Sequence, residues 1–127
     1  MTVMSFTGSA NFASNRPWAD VILNPSHLGS PTHKCLVDTG ADYAQLPASA
    51  VTSSGLSLAS AVSITAHTAG GAASLLMLKA VQLDIEGYLV TIDILLDPTN
   101  SRVPLAGRNL LFAAFDLGME STRWHWS

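Results

Sequence analysis

Cys35-Leu36-Val37-Asp38-Thr39-Gly40-Ala41-Asp42-Tyr43, with Leu46-Pro47 close behind, is the stretch on which the reading of this chain turns. Residues 33–37 rise into an apolar strand that stops at an acid, and Gly40 permits a turn that other residues would resist. An aspartate delivered to a loop by an apolar strand holds its carboxylate in a partly dry setting, where its ionisation can be tuned. Asp-Thr-Gly alone is a weak signal, arising by chance in roughly a few per cent of chains of such length. Its flanks add the weight: two apolar residues before, Ala41 behind, and an apolar residue with proline closing the segment. The plain alternative is a turn aspartate that only caps its own loop.

Outward from this stretch the chain reads as a series of short strands. Trp18–Leu23 alternates, with Ala19, Val21 and Leu23 on one face and Trp18, Asp20 and Ile22 on the other. Residues 24–32, with Pro25, Gly29 and Pro31, predict a wide hairpin connection, and residues 43–46 another short extended piece closed by Pro47. Residues 62–68 predict a strand running into Ala69-Gly70-Gly71-Ala72-Ala73, which has the chemistry of a flexible hairpin tip. Residues 74–85 and 88–96 flank Glu86-Gly87, a tight-turn signal, and predict an antiparallel hairpin. Residues 97–102 are a polar loop and residues 103–106 a brief extended segment. Leu110, Leu111, Ala114 and Phe115 then recur at helical spacing, so one short helix is expected, ended by Leu117-Gly118. Residues 119–126 predict a terminal strand with Trp124 and Trp126 on one face. Seven or eight strands and one helix make an all-β domain.

A chain of 127 residues suits one domain, expected over residues 16–127. Residues 1–15, rich in Ser, Thr, Asn, Gly and Ala, read as an arm that is ordered only where something ties it down. Hydrophobic residues make up 48%, which excludes a disordered chain. Charged residues are 12%, about half the usual share, so part of the surface is expected to be hidden against another protein, with self-association the first inference. A net charge of −3 without a Lys or Arg cluster disfavours nucleic-acid binding. Apolar runs such as residues 110–115 fall well short of the roughly 20 residues that cross a bilayer. The arm has neither a basic n-region nor an apolar h-region, so no membrane span or ordinary secretion signal is expected. A single cysteine fits a reducing compartment, and the expected location is cytoplasmic. His27, His33, His67 and His125 lack metal-ligand spacing, so neither a metal nor a cofactor is expected. Cys35 has no His partner and reads as a small buried residue, not a nucleophile.

The order of features over about residues 15–120 resembles the retroviral-type aspartic proteases, or retropepsins. Arg16-Pro17 stands before the first core strand, Leu36-Val37-Asp38-Thr39-Gly40-Ala41-Asp42 is similar to the family's active-site loop, and Gly70-Gly71 sits where its flap tip would be. Val103-Pro104-Leu105-Ala106-Gly107-Arg108-Asn109-Leu110-Leu111 is similar to its apolar pair, Gly-Arg and C-terminal helix. The resemblance implies a retropepsin fold: a closed, barrel-like β domain with a flap hairpin and one short C-terminal helix, in which two chains build one active site. Residues 120–127, polar and aromatic, depart from the short apolar strand that closes many relatives.

Peptide hydrolysis by paired carboxylates needs one ionised, to draw a proton from water, and one protonated, to polarise the carbonyl. No other Asp here is followed by Thr-Gly or Ser-Gly; Asp97-Pro98-Thr99 is the nearest and lacks the glycine. Two copies must therefore meet, Asp38 against Asp38 across a twofold axis, and dimerisation becomes a condition of catalysis. Two charges about 3 Å apart repel by about 5 kcal/mol at an effective dielectric of about 20, so one proton is shared over a broad pH range. That is the behaviour established for aspartic-protease dyads in general, and it implies a mildly acidic optimum.

The resemblance also implies roles for the neighbours. Thr39 matches the hydroxyl that crosses the dimer axis, and Gly40 would let backbone approach the substrate. Asp42 and Arg108 match a pair that braces the active-site loop against the helix, with Arg16 reaching the partner's acid at position 42. Ala41, Tyr43, Val103 and Leu105 would line side-chain subsites, and Ala69, Gly70 and Gly71, with Ala72, would close over an extended protein or peptide substrate. Two other readings stand beside the endopeptidase: a dimeric module that binds peptides without cutting them, and a protease restricted to processing itself or one partner.

Overall fold

The structure, a computed structural model, describes residues 6–68 and 71–127. Strands β1 (Gly8–Asn11), β2 (Trp18–Leu23), β3 (Thr32–Val37) and β4 (Gln45–Pro47) lead to helix α1 (Ser49–Ser53). The long strands β5 (Val62–Thr68), β6 (Gly71–Ile85) and β7 (Tyr88–Asp97) come next, then β8 (Leu105–Ala106), helix α2 (Arg108–Ala114), β9 (Leu117–Met119) and β10 (Arg123–Trp126). The chain is mainly β, as its alternating patterns predict.

Seven strands form one sheet in the order β2-β3-β8-β4-β7-β6-β5, and β2 also pairs with β6, which closes the sheet into a ring with β5 outside it. β3 runs parallel to β8 and β4 parallel to β7, while β4 meets β8 antiparallel through Gln45 and Leu105. One strand serves two purposes. Between Leu78 and Val81 the register of β6 against β7 shifts, and Ala80 takes a φ of 53° while its N–H donates to Asp93 Oδ1 at 2.9 Å. Such a bulge bends the strand. One half of β6, Leu83–Ile85 by register, pairs with β2 in the ring; the other, from Gly71 to Met77, pairs with β5 and carries the hairpin outward.

The alternation in β2 places Ala19, Val21 and Leu23 fully inside, beside Cys35, Leu83, Ile85, Ile94 and Leu96. Each fully buried Val, Leu or Ile contributes about 1.5–3 kcal/mol, so this interior holds the ring closed. Burial pushes the Cys35 thiol up to about 12, aided by the nearby charge of Asp20, so at neutral pH it is an inert core group. A smaller apolar cluster of Ala73, Leu75 and Leu95, with Ile64, Ala66 and Met77, sits where the β5–β6 hairpin leaves the ring.

The structure completes one expectation and corrects others. The arm is tied down from Gly8, because β1 pairs with β10 from the far end of the chain (Gly8 with Trp126, Asn11 with Arg123). Residues 119–126 are not one strand: β9 and β10 pair with each other and with β1 in a separate sheet ordered β1-β10-β9. Trp124 is fully buried, its ring centroid 4.5 Å from Trp126 and 5.9 Å from Phe115, and its Nε1 donates to Trp18 O at 3.0 Å. That hydrogen bond fastens the terminal sheet to the ring. Helix α1 has no counterpart in the sequence pattern; it packs Ala50 and Val51 into the core. Strand pairing also runs further towards the expected tip, because Gly71, Ala72 and Ala73 pair with Thr68, His67 and Ala66. Ala69 and Gly70 lie outside the described residues.

Candidate active site

Asp38 is the first residue beyond β3, and the end of that strand is gripped from both sides. Leu36 N–H donates to Pro104 O at 2.8 Å, Val37 N–H to Pro17 O at 3.0 Å, and Asp38 N–H to Ala106 O at 3.0 Å. The loop then turns back on its own acid: Gly40 N–H donates to Asp38 Oδ1 at 2.9 Å and Ala41 N–H to Asp38 O at 3.2 Å. Among the described residues, that Gly40 contact is the only hydrogen bond to the Asp38 carboxylate. The side chain is half-buried at the mouth of a cleft.

The far half of the loop is held by the start of α2. Arg108 N–H donates to Ala41 O at 2.8 Å and Asn109 N–H to Asp42 O at 3.1 Å. Asn109 then spans two segments with its side chain, accepting from Ala44 N–H at 2.8 Å and donating to Asp93 O at 2.7 Å. Gly107 makes the approach possible, since a Cβ there would stand 2.3 Å from Tyr43 O. Arg108 and Asp42 do form the expected ion pair, but both side chains are at least half exposed. An exposed pair contributes at most about 1 kcal/mol, so the backbone contacts and Asn109 do most of the bracing. Local sequence pattern does not single out Asn109 or Gly107 as bracing residues.

The cleft has a volume of about 710 Å³ and lies between this loop and the β5–β6 hairpin. Asp38, Gly40, Ala41, Asp42, Tyr43 and Leu105 all line it, so the structure brings six of the expected site residues together. Ile64, Ala66 and Leu75 supply an apolar wall from the hairpin side, clustered with Leu95 of β7, with Thr65 and His67 beside them. Thr39 is exposed outside the lining, Val103 is 45% exposed and also outside it, and Gly71, the first residue of β6, is not among the lining residues. Arg16 is exposed, its backbone paired with Ala13, and it makes no ion pair among the described residues of one chain.

A second acid closes another strand. Asp97 is the last residue of β7 and only 2% exposed. Burial pushes its carboxyl up, but the Thr99 hydroxyl and the N–H groups of Arg102, Thr99 and Ser101 outweigh that and hold it down at about 2. A separate hollow of about 480 Å³ gathers Trp18, Trp126, Asp20, Lys34 and Glu86. There Lys34 pairs with Asp20, and Glu86 Oε1 accepts Asp20 N–H at 2.8 Å. Burial raises the Glu86 carboxyl, while the hydrogen bond and charge of Asp20 raise Lys34. These contacts tie β2, β3 and the β6–β7 turn together.

Among the described residues no three of His, Cys, Asp and Glu gather as a metal would require, and no helix is long and apolar enough to cross a membrane. Comparison with models of known protein families finds no match, and comparison with curated proteins finds no relative.

Proposed function

We propose that the protein is a homodimeric aspartic endopeptidase of retropepsin type, which hydrolyses peptide bonds of extended segments with a water held between two Asp38 carboxylates. The observation that carries this reading is the state of Asp38: an acid fixed by backbone contacts on both sides, given one N–H by its own loop, and turned to a cleft with an apolar wall. An aspartate that served only to cap its turn would be consumed by that turn, as Asp97 is. Among the described residues of one chain no carboxylate is left to complete the pair, since Asp42, in the same cleft, is paired with Arg108 and Asp97 is buried and fully engaged; a second copy is the source of the second carboxylate. The charge-poor composition supports such association.

In this mechanism one carboxylate of the dyad takes a proton from water as the oxygen attacks the substrate carbonyl. The protonated partner donates to the developing oxyanion, and the tetrahedral intermediate then collapses with proton transfer to the leaving nitrogen. The hairpin arm bearing Ile64 and Ala66 lies across the cleft, where an extended peptide adds as a strand.

The test is cleavage of a peptide library by the wild type and Asp38→Asn, with and without a statine-type inhibitor. The reading predicts wild-type cleavage with a mildly acidic optimum, blocked by the inhibitor and absent in Asp38→Asn. Equal activity in both proteins, or an optimum above about pH 8, contradicts it. Peptide binding without cleavage identifies a binding module instead.

A further inference from the structure

Gln45 is the first residue of β4 and lines the same cleft as Asp38, yet only 9% of it is exposed. Its two neighbours across the sheet are Leu95 on β7 and Leu105 on β8, and both also line the cleft. The three side chains thus share one face of the central strands, with a carboxamide between two leucines and with Leu75 and Ile64 of the hairpin in the same apolar cluster as Leu95. That amide makes no side-chain hydrogen bond to any described residue. The amide carries two donors and an acceptor, and its atoms are not among the polar atoms sealed from solvent without a partner, so within this mostly buried residue the amide opens to the cleft. An apolar residue would pack as well among these leucines, so what sets Gln45 apart is the set of hydrogen bonds its amide offers into the cleft.

We propose that Gln45 is the specificity-determining residue of this cleft: its amide hydrogen-bonds a polar substrate side chain, so one position of the cleaved peptide carries Asn, Gln or another short hydrogen-bonding group. Water serves the amide while the cleft is empty and is displaced by that side chain. The surrounding leucines exclude other water and accept the aliphatic stem. A pocket built to hydrogen-bond its ligand rejects the apolar isostere strongly, because the amide, covered by that ligand, is then left unpaired. This inference rests on the cleft being the peptide site proposed above.

The experiment uses octapeptide pools in which each position in turn carries Asn or its near-isostere Leu, or Gln or its near-isostere Met. Cleavage is measured with the wild type, Gln45→Met and Gln45→Leu, and retention of the same pools is measured on immobilised Asp38→Asn protein with and without Gln45→Met. At one position the wild type prefers the amide over its isostere by about tenfold in kcat/KM, and both Gln45 variants abolish or reverse that preference. Retention on Asp38→Asn shows the same preference, and Gln45→Met removes it. A preference in retention without any cleavage sinks the endopeptidase reading and keeps the assignment of Gln45. Profiles that Gln45→Met and Gln45→Leu leave unchanged at every position, in both measurements, overturn it.

Discussion

Two aspartates close two strands of the same sheet, and their loops treat them in opposite ways. Asp38 stands just beyond β3 and receives one hydrogen bond from its own loop, through Gly40. Asp97 ends β7 and receives four, from the Thr99 hydroxyl and three backbone N–H groups. β3 and β7 run in opposite directions through β8 and β4, so the two acids lie at opposite ends of the sheet. The difference lies in the residues just after each acid. Pro98-Thr99-Asn100-Ser101-Arg102 wraps back and presents its donors, whereas Thr39-Gly40-Ala41 is drawn away towards α2 by contacts to Ala41 O and Asp42 O. An acid whose loop satisfies it contributes stability; one whose loop is anchored elsewhere is left with few donors of its own, as the proposed catalytic role of Asp38 requires.

That contrast is broken first by removing each charge in turn. Asp38→Asn is expected to lower kcat for peptide cleavage by about 10³-fold or more while Tm stays within about 2 °C of the wild type. Asp97→Asn is expected to do the reverse, lowering stability by about 2–3 kcal/mol, or about 10 °C in Tm, with the cleft intact. The sign comes from a carboxyl held below its ordinary value when folded. Its contribution is complete above about pH 4 and is lost as pH falls through about 2, so denaturant curves of wild type and Asp97→Asn should converge over that window. A gap that stays constant from pH 6 to pH 2 removes the explanation.

The bracing of the active-site loop gives a finer comparison between Asn109 and its neighbour. Asn109→Ala strips a partner from Ala44 N–H and another from Asp93 O, both in part-buried places, and should cost about 2 kcal/mol by chemical denaturation. Arg108→Lys touches only an exposed ion pair and should cost less than about 1 kcal/mol, a difference that shrinks further in high salt. The opposite ranking would return the bracing role to the charged pair.

Much of this arrangement could be read from local pattern. The alternation of Ala19, Val21 and Leu23 names the inward face of β2, the turn at Glu86-Gly87 joins β6 to β7, and the apolar approach to Asp38 sets the acid at a strand end. What escaped is what distant partners supply. Gly8–Asn11 has no apolar period of its own and becomes a strand because Arg123–Trp126 lies beside it. Helix α1 lacks a side-chain cap and is held by burial of Ala50 and Val51, which no short polar stretch announces. Asn109 reads as a surface residue at a helix start until Ala44, 65 positions away, presents its N–H. Gln45 likewise carries no signal until Leu95 and Leu105 close around it.

The central claim, that two chains each bring one Asp38 to a shared site, is tested most directly by mixing. Wild type and Asp38→Asn are combined in equal amounts at fixed total protein, under conditions where chains exchange, and peptide cleavage is measured. If only pairs of wild-type chains are competent, activity falls to about one quarter of the undiluted wild-type value. If each chain works alone, it falls only to about one half, and the shared dyad is refuted.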